Sequence, residues 1–332
     1  MSDDTDKTIG VFLLNLGGPD SLEAVRPFLY NLFSDREIIR LGPSFMQKPL
    51  AYLISSLRHK KTEGYYRQIG GRSPILEITT AQARALEESL NGGEEGTAHA
   101  SFRVFVGMRY WRPFIEDVVP AIVHEGIRRV IAIGLYPQYS VATTGSSVSR
   151  LREAAAGLPL ELHTVLSWHD HPLYIDALME RIRKGLGLFA DRASEVHVLF
   201  SAHSLPKKFI DEGDPYADHI NATIAGVVRR MDIPWSLAYQ SRSGPVEWLE
   251  PSTERMIAGL ASKGVRNLLV VPISFVSDHI ETLYEIDIVY KSMAKRLGMR
   301  LERVESMNTF PLFIAALGDI VTRGIKEAGW GE

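Results

Sequence analysis

The chain alternates short, almost continuous apolar runs with longer segments in which apolar residues recur at helical spacing. The apolar runs lack the polar alternation of a half-exposed strand, which is typical of strands covered on both faces. Strands are predicted at 9–14, 102–106, 130–135, 160–166, 196–200, 235–239 and 268–273, and the helices between them include 79–90, 115–125, 173–186, 217–230 and 252–262. This order predicts βαβ units and mostly parallel sheets, which is the α/β fold class.

The predicted strands fall into two similar sets that join near 158–168. We expect two Rossmann-like lobes, each a mostly parallel sheet flanked by helices, with a cleft between them. The first lobe covers 8–160 together with the carboxyl-terminal helix 311–328, and the second covers 161–310. Because ligands bind outside the carboxyl ends of the strands in such sheets, the loops that follow the strands are the expected site.

The composition of the chain excludes several kinds of binding site. The 332 residues carry a formal net charge of −3, which gives no reason to expect nucleic acid as a partner, and none of them is Cys. Disulfides, thiolate zinc sites and Cys-ligated iron–sulfur clusters are therefore excluded, and any metal ion must use His, carboxylate or backbone oxygen.

The same pattern bears on location. The first residues show no secretory signal, and no apolar run reaches the ~18–20 residues that a membrane span requires. We expect a cytoplasmic protein that is either free or peripheral on the cytoplasmic face of the membrane.

The segment 274–290 follows the last predicted strand and is rich in acidic residues. On a helix, Glu281 and Glu285 stand four residues apart and share a face, where two carboxylates repel by about a few tenths of a kcal/mol. A bound cation would reverse the sign of that interaction. The segment therefore predicts a metal or proton site at the carboxyl end of a strand.

Three further features carry candidate chemistry. His203 follows the strand 196–200, where it is either a structural histidine or an acid–base group. Trp248 is either a core residue or a flat apolar wall for a planar ligand. The apolar segment 44–57 precedes the basic run 58–61, so it is either a buried amphipathic helix or a surface for a membrane or an apolar, anionic ligand.

Taken together, these residues resemble the ferrochelatases, which insert ferrous iron into a porphyrin to make haem. The likeness covers nearly the whole chain and is highly specific because all the motifs occur in order. They are LLNLGGP (13–19), YRQIGGRSPI (66–75), GMRY (107–110), YPQYS (136–140), FSAHSLP (200–206), GDPY (213–216), QSRSGPVEWLEP (240–251) and SDHIETLYEID (277–287). The resemblance implies a chelatase-type fold of two lobes and an enzyme of the lyase class. The last motif looks closer to members that use protoporphyrin IX than to the coproporphyrin III branch.

The resemblance also implies roles for individual residues. His203 matches the active-site base, and Glu281 matches the catalytic carboxylate across the macrocycle. The implied metal-binding residues are His203, Glu281 and Glu285, and the implied supporting residues are Asp278, His279 and Asp287. The implied substrate-binding residues are Leu16, Arg58, Tyr66, Ser73, Arg109, Trp248 and Phe275.

The implied ligands and partners follow from the same family. Ferrous iron is a substrate, and no cofactor is expected to stay bound. The segment 44–57 matches an apolar lip at the pocket mouth, which could contact a membrane surface or another enzyme of haem synthesis. No nucleic acid is expected.

Two features depart from the family pattern. Some members carry a carboxyl-terminal iron–sulfur cluster on cysteines, and this chain has no Cys. Some members also place a third carboxylate one turn beyond Glu285, where this chain has Val289. Any outer metal site on this helix is then weaker, or Asp287 must substitute.

Four other readings stay open on sequence alone. They are a coproporphyrin III ferrochelatase, a cobalt chelatase acting on a reduced or linear tetrapyrrole, a non-catalytic porphyrin or haem carrier, and a nucleotide-binding enzyme. The last is disfavoured because the glycine loops lack the spacing of a phosphate loop. A carrier would need the apolar pocket but not the acid–base residues.

Overall fold

The computed structural model describes residues 8–92, 101–190, 195–242 and 244–330. These residues form two compact units, the first made of 8–168 and 308–330 and the second of 169–307. Residues 1–7, on which the prediction of a cytoplasmic location partly rests, lie outside the described residues. Within the described chain, no helix combines the length and the apolarity needed to span a bilayer.

The first unit is built on a four-stranded sheet in the order β2-β1-β3-β4. Its strands are β1 (Thr8–Asn15), β2 (Ser101–Met108), β3 (Arg129–Gly134) and β4 (Glu161–Val165). All neighbours pair in parallel. Parallel neighbours require crossover connections, and helices supply them here. They are α1 (Val25–Ser34), α2 (Gln47–Arg67), α3 (Ile75–Asn91), α4 (Ile115–His124) and α5 (Ser146–Ala155). The last helix of the chain, α11 (Pro311–Glu327), also belongs to this unit but connects no strands.

The core of the first unit lies between the sheet and two of these helices. Phe12 of β1 and Val130 of β3 pack against Ile115 of α4 and Leu151 of α5, and all four side chains are buried. β1 is apolar on both faces, as expected for the central strand of a sheet that is covered on both sides. A short π-helical turn, Val141–Gly145, leads from β3 into α5.

The second unit repeats this topology. Its sheet has the order β6-β5-β7-β8 and is again parallel throughout. Its strands are β5 (Val196–His203), β6 (Trp235–Gln240), β7 (Asn267–Pro272) and β8 (Arg300–Arg303). Its helices are α6 (Pro172–Gly187), α7 (Lys207–Asp211), α8 (Tyr216–Val228), α9 (Thr253–Ser262), a π-helix (Glu281–Tyr290) and α10 (Lys291–Arg296).

The π-helix is anchored in the core of the second unit. Its buried Ile286 and Tyr290 pack in one cluster with Leu268 and Val270 of β7 and Ile257 of α9. The acidic residues of the π-helix therefore project from a scaffold whose other face is held by apolar packing.

The fold confirms the predicted α/β class of two parallel sheets flanked by helices. The boundary between the units differs from the predicted one at 160/161. β4 pairs with β3, so 161–165 belongs to the first sheet. Trp168 closes that unit, because its indole N–H donates to the Gly134 carbonyl at 2.9 Å and its ring lies 5.9 Å from that of Phe313.

Candidate active site

The site is built around His203, the last residue of β5. β5 is flanked by β6 and β7, so His203 lies at the carboxyl edge where the strand order reverses, the usual ligand position in such sheets. The main chain is held on two sides. The His203 amide donates to Ser274 Oγ at 2.9 Å, and the buried Tyr216 hydroxyl donates to the His203 carbonyl at 3.0 Å.

The His203 side chain is paired with a carboxylate. Its Nδ1 lies 2.8 Å from Glu281 Oε2. An Nδ1–H donated to Glu281 leaves the lone pair of the neutral imidazole on Nε2, where it can accept a proton. Burial alone lowers the pKa of His203, but the charges of Glu281 and Glu285 outweigh burial and raise that pKa above its ordinary value.

The pKa of Glu281 moves in the opposite direction. Burial alone raises it, but the His203 and His279 imidazoles and a hydrogen bond from Ser241 hold the pKa of this carboxyl well below its usual range. Glu281 is therefore an anion across the neutral pH range, and it favours the charged form of His203.

Glu281 and Glu285 lie on a helix, and that helix is a π-helix. A π-helix closes its hydrogen bonds between residues five apart, and such segments are frequent at functional sites. Both carboxylates nevertheless meet at one side chain. Ser241 Oγ lies 2.7 Å from Glu281 Oε2 and 2.6 Å from Glu285 Oε2.

The protonation of this trio follows from hydrogen counting. A hydroxyl carries one hydrogen, so Ser241 can donate to only one of the two carboxylates. The second short contact needs a proton on a carboxyl group. Burial, together with the charge of Glu281, raises the pKa of Glu285 to about 7, so Glu285 is the carboxyl that holds this proton.

The loop that precedes the π-helix brings two more predicted residues to the site. His279 Nδ1 lies 3.0 Å from the Ser277 carbonyl, and its Nε2 lies 4.0 Å from Glu281 Oε1. Burial lowers the pKa of His279, more than Glu281 raises it. The Phe275 ring stands between the histidines, with ring centroids 4.3 Å from His279 and 6.2 Å from His203.

Asp278 and Asp287 form a separate group with Arg303. Arg303 donates to both oxygens of Asp287, at 2.9 and 2.8 Å, and lies 2.9 Å from Asp278 Oδ1. Asp278 also accepts from Thr282 and Ser306, which fixes the start of the π-helix. Asp287 therefore does not extend the acidic pair in the place of Val289. It is bound in a fork-shaped ion pair that supports the helix.

Trp248 is placed by β5 and the residues after it. It forms an antiparallel bridge with Pro206, three residues beyond His203. Its indole nitrogen is buried and has no hydrogen-bond partner among the described residues.

The predicted residues of the first unit follow β1 or β2, or lie on α2 and the loop after it. Leu16 comes directly after β1, and its carbonyl accepts from the Tyr110 amide at 2.9 Å. The Ser73 amide donates to the Pro19 carbonyl at 2.8 Å. Gly17 takes a φ of 84°, and a Cβ there would lie 3.1 Å from Met108 Cβ and the Trp111 nitrogen, so the motif needs glycine.

Arg109 is engaged in a polar cluster of the first unit. It donates to Asp35 Oδ2 at 2.6 Å and to Ser146 Oγ at 2.8 Å. The Tyr110 hydroxyl donates to the same Asp35 oxygen at 2.6 Å. Burial and the charge of Asp35 raise the pKa of Tyr110. A propionate would have to share Arg109 with Asp35.

α2 carries the predicted apolar lip. Phe45, in the turn that precedes it, is 77% exposed, and Leu57 is 73% exposed. Tyr52 and Leu53 are also exposed, whereas Tyr66 near the end of the helix is buried. The Arg58 guanidinium lies 5.4 Å from the centroid of the Phe33 ring. The segment 44–57 is thus largely a surface, not the buried helix that the sequence left as an alternative.

A sequence model of the Ferrochelatase family matches residues 8–325. The ferrochelatase of Geotalea uraniireducens is 56% identical over 321 residues, which cover 96% of this chain and 98% of the relative. The ferrochelatase of Geotalea daltonii is 52% identical over 329 residues, with 98% and 100% covered. The chain belongs to the ferrochelatase family. It is therefore an enzyme of the chelatase class, as the resemblance implied.

Solved structures confirm the chelatase-type fold of this ferrochelatase-family chain. SirB from Bacillus subtilis with Fe3+ aligns with a TM-score of 0.56 at 10% identity, covering 96% of this chain and 95% of SirB. The sirohydrochlorin chelatase SirB from B. subtilis subspecies spizizenii, in complex with cobalt, aligns with a TM-score of 0.53 at 10% identity, with 96% of both chains covered. At that identity the likeness concerns the fold alone.

Sequence reasoning missed Ser241 and Gln240 as site residues of this ferrochelatase. Gln240 Nε2 donates to the Glu281 carbonyl at 3.2 Å and approaches Glu285 Oε2 at 3.4 Å. Both residues lie in the 240–251 motif, Gln240 at the end of β6 and Ser241 directly after it, which was the available signal. Among the described residues no set of three or more His or acidic side chains is arranged to hold a metal ion. His203 and Glu281 bind each other instead.

Proposed function

We propose that this enzyme inserts ferrous iron into protoporphyrin IX and forms protohaem, with His203 as the proton acceptor. Family membership supports metal insertion into a porphyrin. The observation that carries the proposal is the hydrogen bond between His203 Nδ1 and Glu281 Oε2 at the carboxyl end of β5. This pair is an oriented base and its orienting carboxylate.

The reaction requires the loss of two protons. A free porphyrin holds two N–H groups, and a ferrous ion takes their place as both protons leave. The lone pair on His203 Nε2 accepts a porphyrin proton, and the Glu281 carboxylate stabilises the imidazolium that results. Positioned acid–base groups typically contribute about 10²–10⁴-fold to rate. His203 must pass each proton on, to Glu285 or to water, before it can accept the next.

The acidic pair has two compatible uses. Imidazole and carboxylate are ligands that ferrous iron accepts, so His203, Glu281 and Glu285 are also the proposed groups that exchange with the waters of the incoming ion. Glu285, whose pKa is about 7, is equally suited to accept a proton from the pair and release it.

We assign the remaining predicted residues to the porphyrin. Trp248 and Phe275 are proposed as aromatic walls for the planar ring. Leu16, Tyr66, Ser73, Arg58 and Arg109 are proposed contacts of the ring or its propionates, on the strength of the family motifs. The exposed segment 44–57 with the basic run 58–61 is the proposed contact with an anionic membrane surface, which would place the enzyme on the cytoplasmic face.

The test is an anaerobic metallation assay that follows the loss of free-porphyrin fluorescence. Ferrous and zinc ions are each offered with protoporphyrin IX and with coproporphyrin III. We expect turnover with ferrous iron, a preference for protoporphyrin IX, and loss of turnover in His203→Ala. His197→Ala is the matched control, because His197 also lies on β5 but is bonded to Ser236. A preference for coproporphyrin III would contradict protoporphyrin IX as the substrate. Tight porphyrin binding without metallation would indicate a carrier.

A further inference from the structure

Ser241 has an unusual backbone for a residue with a side chain. It follows β6 directly and takes a φ of 64°, in the left-handed region. That conformation is costly for any residue with a Cβ, and such residues concentrate at functional sites when the surrounding structure holds them. Glycine would avoid the cost and occupies many such positions in this chain. A serine at this position therefore indicates a use of the side chain that glycine cannot supply.

The left-handed turn directs the Ser241 hydroxyl between two carboxylates. Its Oγ lies within 2.7 Å of an oxygen of Glu281 and of an oxygen of Glu285. Glu281 in turn contacts His203, so Ser241 is one residue removed from the proposed base.

Gln240, the residue before Ser241, contacts the same two acidic residues. Ser201 Oγ, on β5, donates to Gln240 Oε1 at 2.6 Å, and this fixes the orientation of the amide. The amide nitrogen of Gln240 is then directed toward the Glu281 carbonyl and Glu285. The end of β6 thus supplies a rigid donor pair to the first turn of the π-helix.

Two acid groups on one helical face need a polar partner if they are to stay close together without a cation. The Ser241 hydroxyl can donate to one of them and accept from the other, so a single side chain holds both. An oxygen of each acid group is kept on Ser241 and so on the side of the helix where His203 lies.

We propose that Ser241 is a positioning residue that clamps Glu281 and Glu285 together beside His203, and that metal insertion depends on its hydroxyl. The inference deepens the proposed function and rests on it. Ser241 does not contact the reacting atoms in this account; it acts through the two carboxylates.

Three substitutions separate the hydroxyl from the backbone. Ser241→Ala removes the hydroxyl and keeps the Cβ, whereas Ser241→Gly removes both and relieves the left-handed conformation. Ser241→Asn restores a donor in a residue that tolerates this conformation. Loss of a hydrogen bond to charged groups predicts a fall in kcat of about tenfold to a hundredfold for Ala and Gly alike. We expect KM for the porphyrin to change less than kcat, and Asn to recover part of the loss.

Glu285→Ala supplies a test of the clamp itself, because it removes the acid group that Ser241 contacts. If Ser241 acts by holding Glu285 to Glu281, Ser241→Ala costs much less kcat in the Glu285→Ala background than in the wild type. Ser236→Ala is the control, since this β6 hydroxyl bonds His197 instead. Normal kcat in both Ser241→Ala and Ser241→Gly, or fully multiplicative losses with Glu285→Ala, would overturn the clamp.

Urea unfolding of the same variants keeps the two proposals distinguishable. The contact predicts that the stability losses of Ser241→Ala and Glu285→Ala do not add, whether or not the enzyme turns over. If the wild type shows this coupling but no metallation activity, the proposed function is wrong, whereas the contact between Ser241 and the two acid groups is supported. Additive stability losses would count against the clamp even in an active enzyme.

Discussion

His203 Nδ1 lies 2.8 Å from Glu281 Oε2, and each residue moves the pKa of the other in the direction that favours its charged form. The base of this enzyme therefore binds protons more strongly than an isolated buried histidine would. That relationship sets the pH range in which His203 can accept a porphyrin proton.

Glu281→Gln is expected to shift the pH profile as well as to slow the enzyme. Without the carboxylate, burial still lowers the pKa of His203 and the largest opposing charge is gone, so this pKa falls. The acid limb of kcat/KM, where His203 must lose its proton, moves to lower pH, while kcat falls by about 10²-fold or more. The measurement is kcat/KM against pH. Glu285→Gln is the control and should shift the limb less, and an acid limb that stays in place would contradict the pairing.

The same pair makes a pH-dependent contribution to stability. The lowered pKa of Glu281 contributes stability above its unfolded pKa of about 4.3, which is lost as the pH falls through the lower folded value. The raised pKa of His203 contributes stability below about 6.5, which is lost as the pH rises through the higher folded value. Both contributions are largely present between about pH 4.5 and 6.5.

Urea unfolding of the wild type and Glu281→Gln tests this window. The difference in unfolding free energy is expected to be larger at pH 6 than at pH 9. A difference that grows with pH would mean that the buried carboxylate, not the pair, dominates.

Arg303 is expected to be essential for folding but not for chemistry. Its guanidinium is buried between Asp278 and Asp287, so Arg303→Met leaves two carboxylates without their partner and costs about 3 kcal/mol of unfolding free energy. Asp287→Asn should cost less and retain metallation. Urea unfolding combined with the metallation assay checks both, and a loss of turnover in a stable Asp287→Asn protein would return Asp287 to the metal route.

The exposed face of α2 is expected to hold the enzyme on anionic vesicles. Phe45→Asp and Leu57→Asp remove apolar area and add negative charge next to the basic run 58–61, so both should weaken co-sedimentation with vesicles of phosphatidylcholine and phosphatidylglycerol. Leu188→Asp is the control, since Leu188 is 52% exposed in the second unit. Equal vesicle binding by all three variants would contradict membrane binding through the segment 44–57.

Periodicity was enough to predict the strands that carry apolar runs, but not β8. The sequence of β8 is Arg-Leu-Glu-Arg, and its charges suit an edge strand that pairs with β7 on one side only. The pattern 160–166 did predict a strand. Its assignment to one sheet or the other depended on pairing with β3, which is a long-range contact that no local pattern encodes.

Some residues of the site carry a signal in the sequence, and others are identified only by long-range contacts. His203, Glu281 and Glu285 could be singled out from the sequence, because a histidine at a strand end and two carboxylates four residues apart stand out. Ser241 was not, since serine in a Gly-Pro loop is ordinary, and its importance lies in a φ of 64° and in contacts about 40 residues away along the chain. The choice between a supporting role and a metal route for Asp287 could not be made from the sequence, because its partner Arg303 lies beyond the helix, on β8.

The two sheets have the same strand order. In each unit the third strand along the chain, β3 or β7, is followed by a π-helical segment, Val141–Gly145 in the first unit and Glu281–Tyr290 in the second. The backbone plan is thus present twice, while the acidic residues occur in one π-helical segment only. The other segment is short and carries Ala, Thr and Gly. The first unit can therefore serve as a reference for the second. Introducing Glu into the uncharged segment Val141–Gly145 would separate what the backbone topology contributes to the chemistry from what the side chains contribute.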